Sequence, residues 1–164
     1  MRYFIATENG LTSQPQPGAH MRPLAQVDGL LPPQISALHE AFARWGAAGV
    51  SPGPVSADRI WIGADGQLAV VFEPNAEPRP LGHVGLAQDL AAWLVLLDRQ
   101  METFVVIARA RAVWTPAELA KALMFVTSSL LPPPPKGQAT PHNWPRVAQA
   151  LAAAVADGPL AAEK

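Results

Sequence analysis

A chain of 164 residues, 49% apolar and 15% charged, can fill one core and is too apolar for wholesale disorder. Its net charge of −1, twelve Lys+Arg against thirteen Asp+Glu, forms no basic stripe and argues against nucleic acid or an anionic membrane as the main partner. Cysteine is absent, which excludes disulfides and thiolate metal sites.

The N-terminal Met1-Arg2-Tyr3-Phe4-Ile5-Ala6-Thr7-Glu8 lacks the long apolar run of a signal peptide. The longest apolar run, residues 90–97, falls far short of the ~20 that a spanning helix needs. A cytoplasmic protein without membrane attachment is expected. Residues 3–7 read as a short strand closed by the turn signal Asn9-Gly10. Residues 11–32, interrupted by prolines and glycines, show no period and read as a long wrapped loop, which packs on a surface or binds something.

The first helix follows. Pro33 suits a first turn, and Ile35, Leu38, Phe42 and Trp45 recur at spacings that make one apolar stripe. Gly49 is a natural stop, and His39, Glu40 and Arg44 fall off the stripe, so they are expected in solvent. Residues 51–57 are a Pro/Gly loop. Ile60-Trp61-Ile62 and residues 68–72 are β-type runs joined by the hairpin turn Gly63-Ala64-Asp65-Gly66. After a proline-rich loop, residues 86–101 are helical, and residues 90–97 are apolar on every face, as a central helix must be.

Residues 103–113 suit either a strand or a buried helix. Thr115-Pro116-Ala117-Glu118 has the form of a capping box, which predicts a helix to about residue 130. Residues 132–135, four prolines, impose a polyproline connector. A last helix is expected from about Trp144 to Ala156, and residues 159–164 as a frayed tail. The expected fold is α+β: one mainly helical domain over residues 1–158, with a small hairpin sheet against a bundle around residues 86–101.

Motifs with catalytic chemistry are missing. His39-Glu40 opens like a zinc-protease helix, but the second ligand position holds Ala43. His20, His39, His83 and His142 are scattered without ligand spacing, and no serine lies in a nucleophile elbow. No catalytic, cofactor-binding or metal-binding residue is assigned, and no cofactor is expected. Trp45 and Trp93 belong to core faces; Trp61, Trp114 and Trp144, at element ends, suit packing better than binding.

Tyr3-Phe4-Ile5-Ala6-Thr7-Glu8, the helix ending in Trp45-Gly46-Ala47-Ala48-Gly49-Val50, the strand Ile60-Trp61-Ile62, the hairpin at Gly66 and the helix opening Gln88-Asp89-Leu90 follow one another in a telling order. Together they resemble the lower lobe of a protein kinase entered at the hinge, truncated and degenerate, with residues 33–97 as its centre. In that family a loop H-R-D-L-K-x-x-N and a D-F-G motif carry catalysis. Here the loop is Pro52-Gly53-Pro54-Val55-Ser56-Ala57-Asp58-Arg59, and Phe72-Glu73-Pro74 stands where D-F-G belongs.

By that correspondence the base position holds Pro54, the phosphate-positioning lysine is Ser56, and the magnesium positions are Arg59 and Phe72. None of these supplies what the chemistry needs. The Gly-rich loop, the nucleotide lysine and its glutamate partner have no counterpart. The resemblance implies a pseudokinase-like, non-catalytic scaffold acting through a protein partner.

It also gives Asp89 a structural duty, buttressing the loop at Pro52-Gly53; the alternative is an ordinary first-turn acid aided by the helix dipole. Without an upper lobe, the strand of Tyr3, Phe4 and Ile5 is expected to expose unpaired backbone groups. It would therefore pair with a protein partner or a second copy. The rival expectation is a small-molecule (nucleotide or metabolite)-binding regulatory domain using a cleft between Glu8, the 51–57 loop and Phe72.

Overall fold

The computed structural model describes residues 2–7, 10–14, 19–48, 50–51, 57–63, 68–72, 79–80, 85–127 and 142–157. Strands Arg2–Thr7 (β1), Gly10–Gln14 (β2) and Arg22–Pro23 (β3) come first, then a short 3-10 turn at Leu24–Gln26 and helix Pro32–Ala47 (α1). Strands Val50–Ser51 (β4), Ile60–Ile62 (β5), Leu68–Phe72 (β6) and Arg79–Pro80 (β7) lead to helices Gly85–Leu97 (α2), Thr103–Val113 (α3), Pro116–Leu123 (α4) and Trp144–Ala156 (α5). The fold is α+β and mostly helical.

The sheet is larger than a hairpin. Five antiparallel strands lie in the order β2-β1-β6-β5-β3, and β4 pairs separately with β7. This overturns the expectation of an orphan first strand. Tyr3 is aligned with Gln14 on one side and Val71 on the other, Phe4 with Ser13 and Val70, and Ile5 with Thr12 and Ala69. The segment read as irregular loop folds back as β2, and the expected hairpin of β5 and β6 lends its free edge to β1. From Tyr3 to Ile5 the strand is flanked on both sides, so that stretch presents no open edge to a partner.

Helix α1 starts at Pro32, one residue before the sequence reading. Gln34 Oε1 accepts the Leu31 N–H at 2.8 Å, half of a capping box, since leucine has no oxygen to return the bond. Ile35, Leu38, Phe42 and Trp45 are all buried, as the stripe requires. His39 is buried too, contrary to the expectation that it faces water. The helix packs on β1 and β4 and also on α3, so its apolar surface must be wider than a one-sided stripe. Glu40 and Arg44 do face solvent.

Helix α2 forms the middle of the core. Leu90, Ala91, Trp93, Leu94, Val95, Leu96 and Leu97 are buried, with α3, α4, α5 and β4 packed around them. Phe42 of α1 stacks on Trp93 with ring centres 5.0 Å apart, while Trp114 meets Phe42 edge-on at 5.9 Å. Gly46 permits the close approach at the other end. A β-carbon there would lie 2.9 Å from a methyl of Leu86.

Residues 103–113, open between strand and helix from sequence, are the helix α3, with Val106, Ile107 and Ala110 buried. The capping box at α4 forms: Glu118 N–H donates to Thr115 Oγ1 at 3.3 Å, and Thr115 N–H to Glu118 Oε2 at 2.8 Å. Helix α4 ends at Leu123, sooner than expected. Buried Val147, Leu151 and Ala154 seat α5 on the same cluster, so the core runs unbroken from Leu24 to Ala154. The polyproline connector and the tail lie outside the described residues. Among the described residues, no helix is long and apolar enough to cross a membrane.

His39 crosses from α1 to α3, its Nε2 donating to the Val106 carbonyl at 3.2 Å, with Nδ1 left without a partner. Burial lowers its pKa from 6.5 to about 4, although the bond to Val106 pulls the other way. The folded protein therefore holds the ring neutral, while the unfolded chain protonates it below pH 6.5. Stability is intact above pH 6.5 and falls by about 3 kcal/mol as the pH drops to about 4. Urea unfolding at a series of pH values should show this loss in the wild type beyond that of His39→Gln. Parallel pH profiles for the two proteins would contradict it.

Candidate functional site

Two polar constellations stand out among the described residues, one spent on the fold and one open. The first lies just past the C-terminal end of α2. An aspartate there opposes the helix dipole, so Asp98 needs donors. It finds three. Thr103 Oγ1 at the start of α3 donates to Asp98 Oδ1; Asn143 Nδ2 and Arg146 Nη2 donate to Oδ2 at 2.8 and 2.5 Å. Asn143 Nδ2 also reaches the Val95 carbonyl at 2.8 Å.

The Asp98 side chain is wholly buried, whereas that of Arg146 is 61% exposed. The hydrogen bond to Asp98, reinforced by its charge, pushes the Arg146 guanidinium above its ordinary pKa. With both oxygens engaged by donors, this carboxylate joins α2, α3 and α5. It is not placed to relay a proton. The sequence reading assigned Asp98 nothing; the signal that would have found it is an acid at the wrong pole of an apolar helix.

The second constellation is an open cleft of about 660 Å³ where β3, the loop before α1 and the end of β5 meet. Met21 and Ile62 are buried beneath it and Val27 is half-buried, while His20, Arg22, Gln26 and Asp28 are exposed at its rim. The ladder fixes this geometry on one side, where Arg22 is aligned with Ile62. On the other side Gly29, at φ +83°, turns the chain so that the Leu30 N–H meets the Gln100 carbonyl at 3.3 Å. That φ is open to glycine and strained for other residues.

The sequence-derived candidates fall elsewhere. The backbone of Tyr3, Phe4 and Ile5 sits inside the sheet. Asp89 is buried on α2 and engaged in a polar interaction, while the loop 52–56 that it was expected to buttress lies outside the described residues. So do Pro54, Ser56, Glu73 and Pro74. Arg59 is half-buried and engaged, and Phe72 ends β6. The expected cleft between Glu8, residues 51–57 and Phe72 lies mostly outside the described residues.

His20 lines the observed cleft, His39 is in the core, His142 is exposed, and His83 is outside the described residues. No three His, Asp or Glu side chains among the described residues gather as a metal would require. Trp45, Trp93 and Trp114 are core; Trp61 packs on Met21 and Ala69, and Trp144 on the main cluster.

No protein-family model, curated protein or solved structure matches the chain.

Removing the Asp98 carboxylate takes the acceptor from the part-buried Thr103 hydroxyl and Asn143 amide and empties the space it had filled. Asp98→Ala should lower the unfolding free energy by about 2 kcal/mol, with Arg146→Ala costing less because its guanidinium returns to water. Denaturant titration checks both, and an Asp98→Ala protein as stable as wild type would refute the role given to this node.

Proposed function

We propose that the chain is a non-catalytic protein-interaction module, resembling a kinase lower lobe that has lost its catalytic groups, and acting through a protein partner. What supports the lack of catalysis is chemical. Pro54, Ser56, Arg59 and Phe72 stand at the positions that would need a base, a phosphate-binding lysine and two magnesium ligands. Helix α1, the β5–β6 hairpin and α2 follow in the order of that framework.

The observation that carries the interaction reading is where large apolar side chains meet water. Leu31 and Phe104 are 66% and 67% exposed, and Met124 is 63% exposed. The Leu30–Gln100 hydrogen bond joins the start of α1 to the turn before α3; Leu31 is the next residue on one side of it, and Phe104 stands in the first turn of α3 on the other. Isolated exposed leucines are ordinary; large exposed side chains on two segments tied by one backbone bond are a natural anchor for a partner. The earlier route, strand addition at Tyr3, Phe4 and Ile5, is replaced by these exposed side chains.

A second reading, a small-molecule-binding regulatory domain, is favoured by the cleft at β3, whose volume falls in the range of ligand sites.

The deciding experiment compares affinity capture by the wild type with capture by a Leu31→Glu/Phe104→Glu double variant whose fold is verified by circular dichroism. The expected result is a stoichiometric partner held by the wild type and lost by the variant. A partner retained by the variant would exclude Leu31 and Phe104 as the anchor, and a wild type that captures nothing would remove the interaction reading.

A further inference from the structure

The cleft at β3 combines an apolar floor with fixed charges of both signs. Met21, Val27 and Ile62 form the floor, Arg22 stands on β3, and Asp28 stands in the loop before α1. Neither charged side chain forms a hydrogen bond or ion pair with another described residue. Their mounts are separately anchored, Arg22 by the ladder to β5 and the Asp28 loop by the Gly29 turn and the Leu30–Gln100 bond. The arrangement holds two opposite charges unspent over apolar surface.

Such a rim discriminates by charge pattern. A simple anion drawn to Arg22 meets Asp28, and a simple cation drawn to Asp28 meets Arg22. A molecule carrying both charges satisfies both groups, and an apolar body between them covers the floor. Size narrows the choice: about 660 Å³ is drug-sized space, and a single amino acid would occupy only a small part of it.

We propose that this cleft binds a small ammonium carboxylate with an apolar body, about the size of a dipeptide, its carboxylate on Arg22 and its ammonium on Asp28. The guanidinium fork suits a carboxylate, and His20 and Gln34 also line the cleft. This inference rests on the second reading, that the chain binds a small molecule.

The test is calorimetric titration and thermal melting of the full chain with L-leucyl-L-leucine. Comparison ligands are N-acetyl-leucyl-leucine, which lacks the ammonium, and leucyl-leucine amide, which lacks the carboxylate. The dipeptide should raise the melting temperature, and each blocked form should bind at least roughly fivefold more weakly. Arg22→Ala should erase the penalty for blocking the carboxylate, and Asp28→Asn the penalty for blocking the ammonium, since each removes the matching partner. Both residues are exposed, so neither change threatens the fold.

Blocked forms that bind as well as the dipeptide, or variants that keep both penalties, would overturn the proposal. If leucyl-leucine fails while a nucleotide or metabolite in a wider panel raises the melting temperature, the ligand class is wrong and the small-molecule reading survives. If nothing in that panel raises it, both fall.

Discussion

Helix α2 has almost no side that can face water. With Leu90, Ala91, Trp93, Leu94, Val95, Leu96 and Leu97 all buried, each surrounding element must offer it an apolar face. That requirement accounts for most of the molecule. Helix α1 supplies Phe42 as a stacking partner for Trp93, and α4 and α5 supply Leu119, Ala122, Val147 and Leu151. The amphipathic helices have one good place to bury their stripes, and that place is α2. Each leucine kept from water there contributes on the order of 2 kcal/mol, so the surrounding helices are held collectively rather than by single contacts.

The buried polar groups are handled in two contrasting ways. Asp98, where α2 runs out, is saturated with donors and fixes how α3 and α5 meet α2. His39 is only half satisfied and survives in the core by staying neutral. One group specifies geometry and the other makes the α1–α3 contact sensitive to acid. Both side chains are buried among the described residues. The groups that do meet solvent, Arg22 and Asp28 at the cleft rim and the exposed Leu31 and Phe104, sit where binding rather than chemistry is the natural use.

Much of the helical part was legible because it rests on local patterns. The stripe from Ile35 to Trp45, the all-apolar run of α2 and the capping box at Thr115 are each written within about a dozen residues. What escaped depends on distant partners. Gly10–Gln14 has neither alternation nor β-branched enrichment, and becomes a strand because β1 offers it an edge. The burial of His39 required knowing that α1 is covered on two sides. Asp98 acquires its role from Asn143 and Arg146, some 45 and 48 residues downstream. The cleft joins residues 19–34 with Ile62 and Gly63, a proximity that the β3–β5 ladder creates.

The claim that α2 is the element on which the others depend is tested most directly by native-state hydrogen exchange, resolved by residue. Amides of α2 from Leu90 to Leu97 should exchange only through global unfolding, with opening free energies equal to the stability measured by denaturant and at least as high as those of any other helix. Amides of α2 that exchange by a cheaper opening, while α1 and α3 stay protected, would contradict the account.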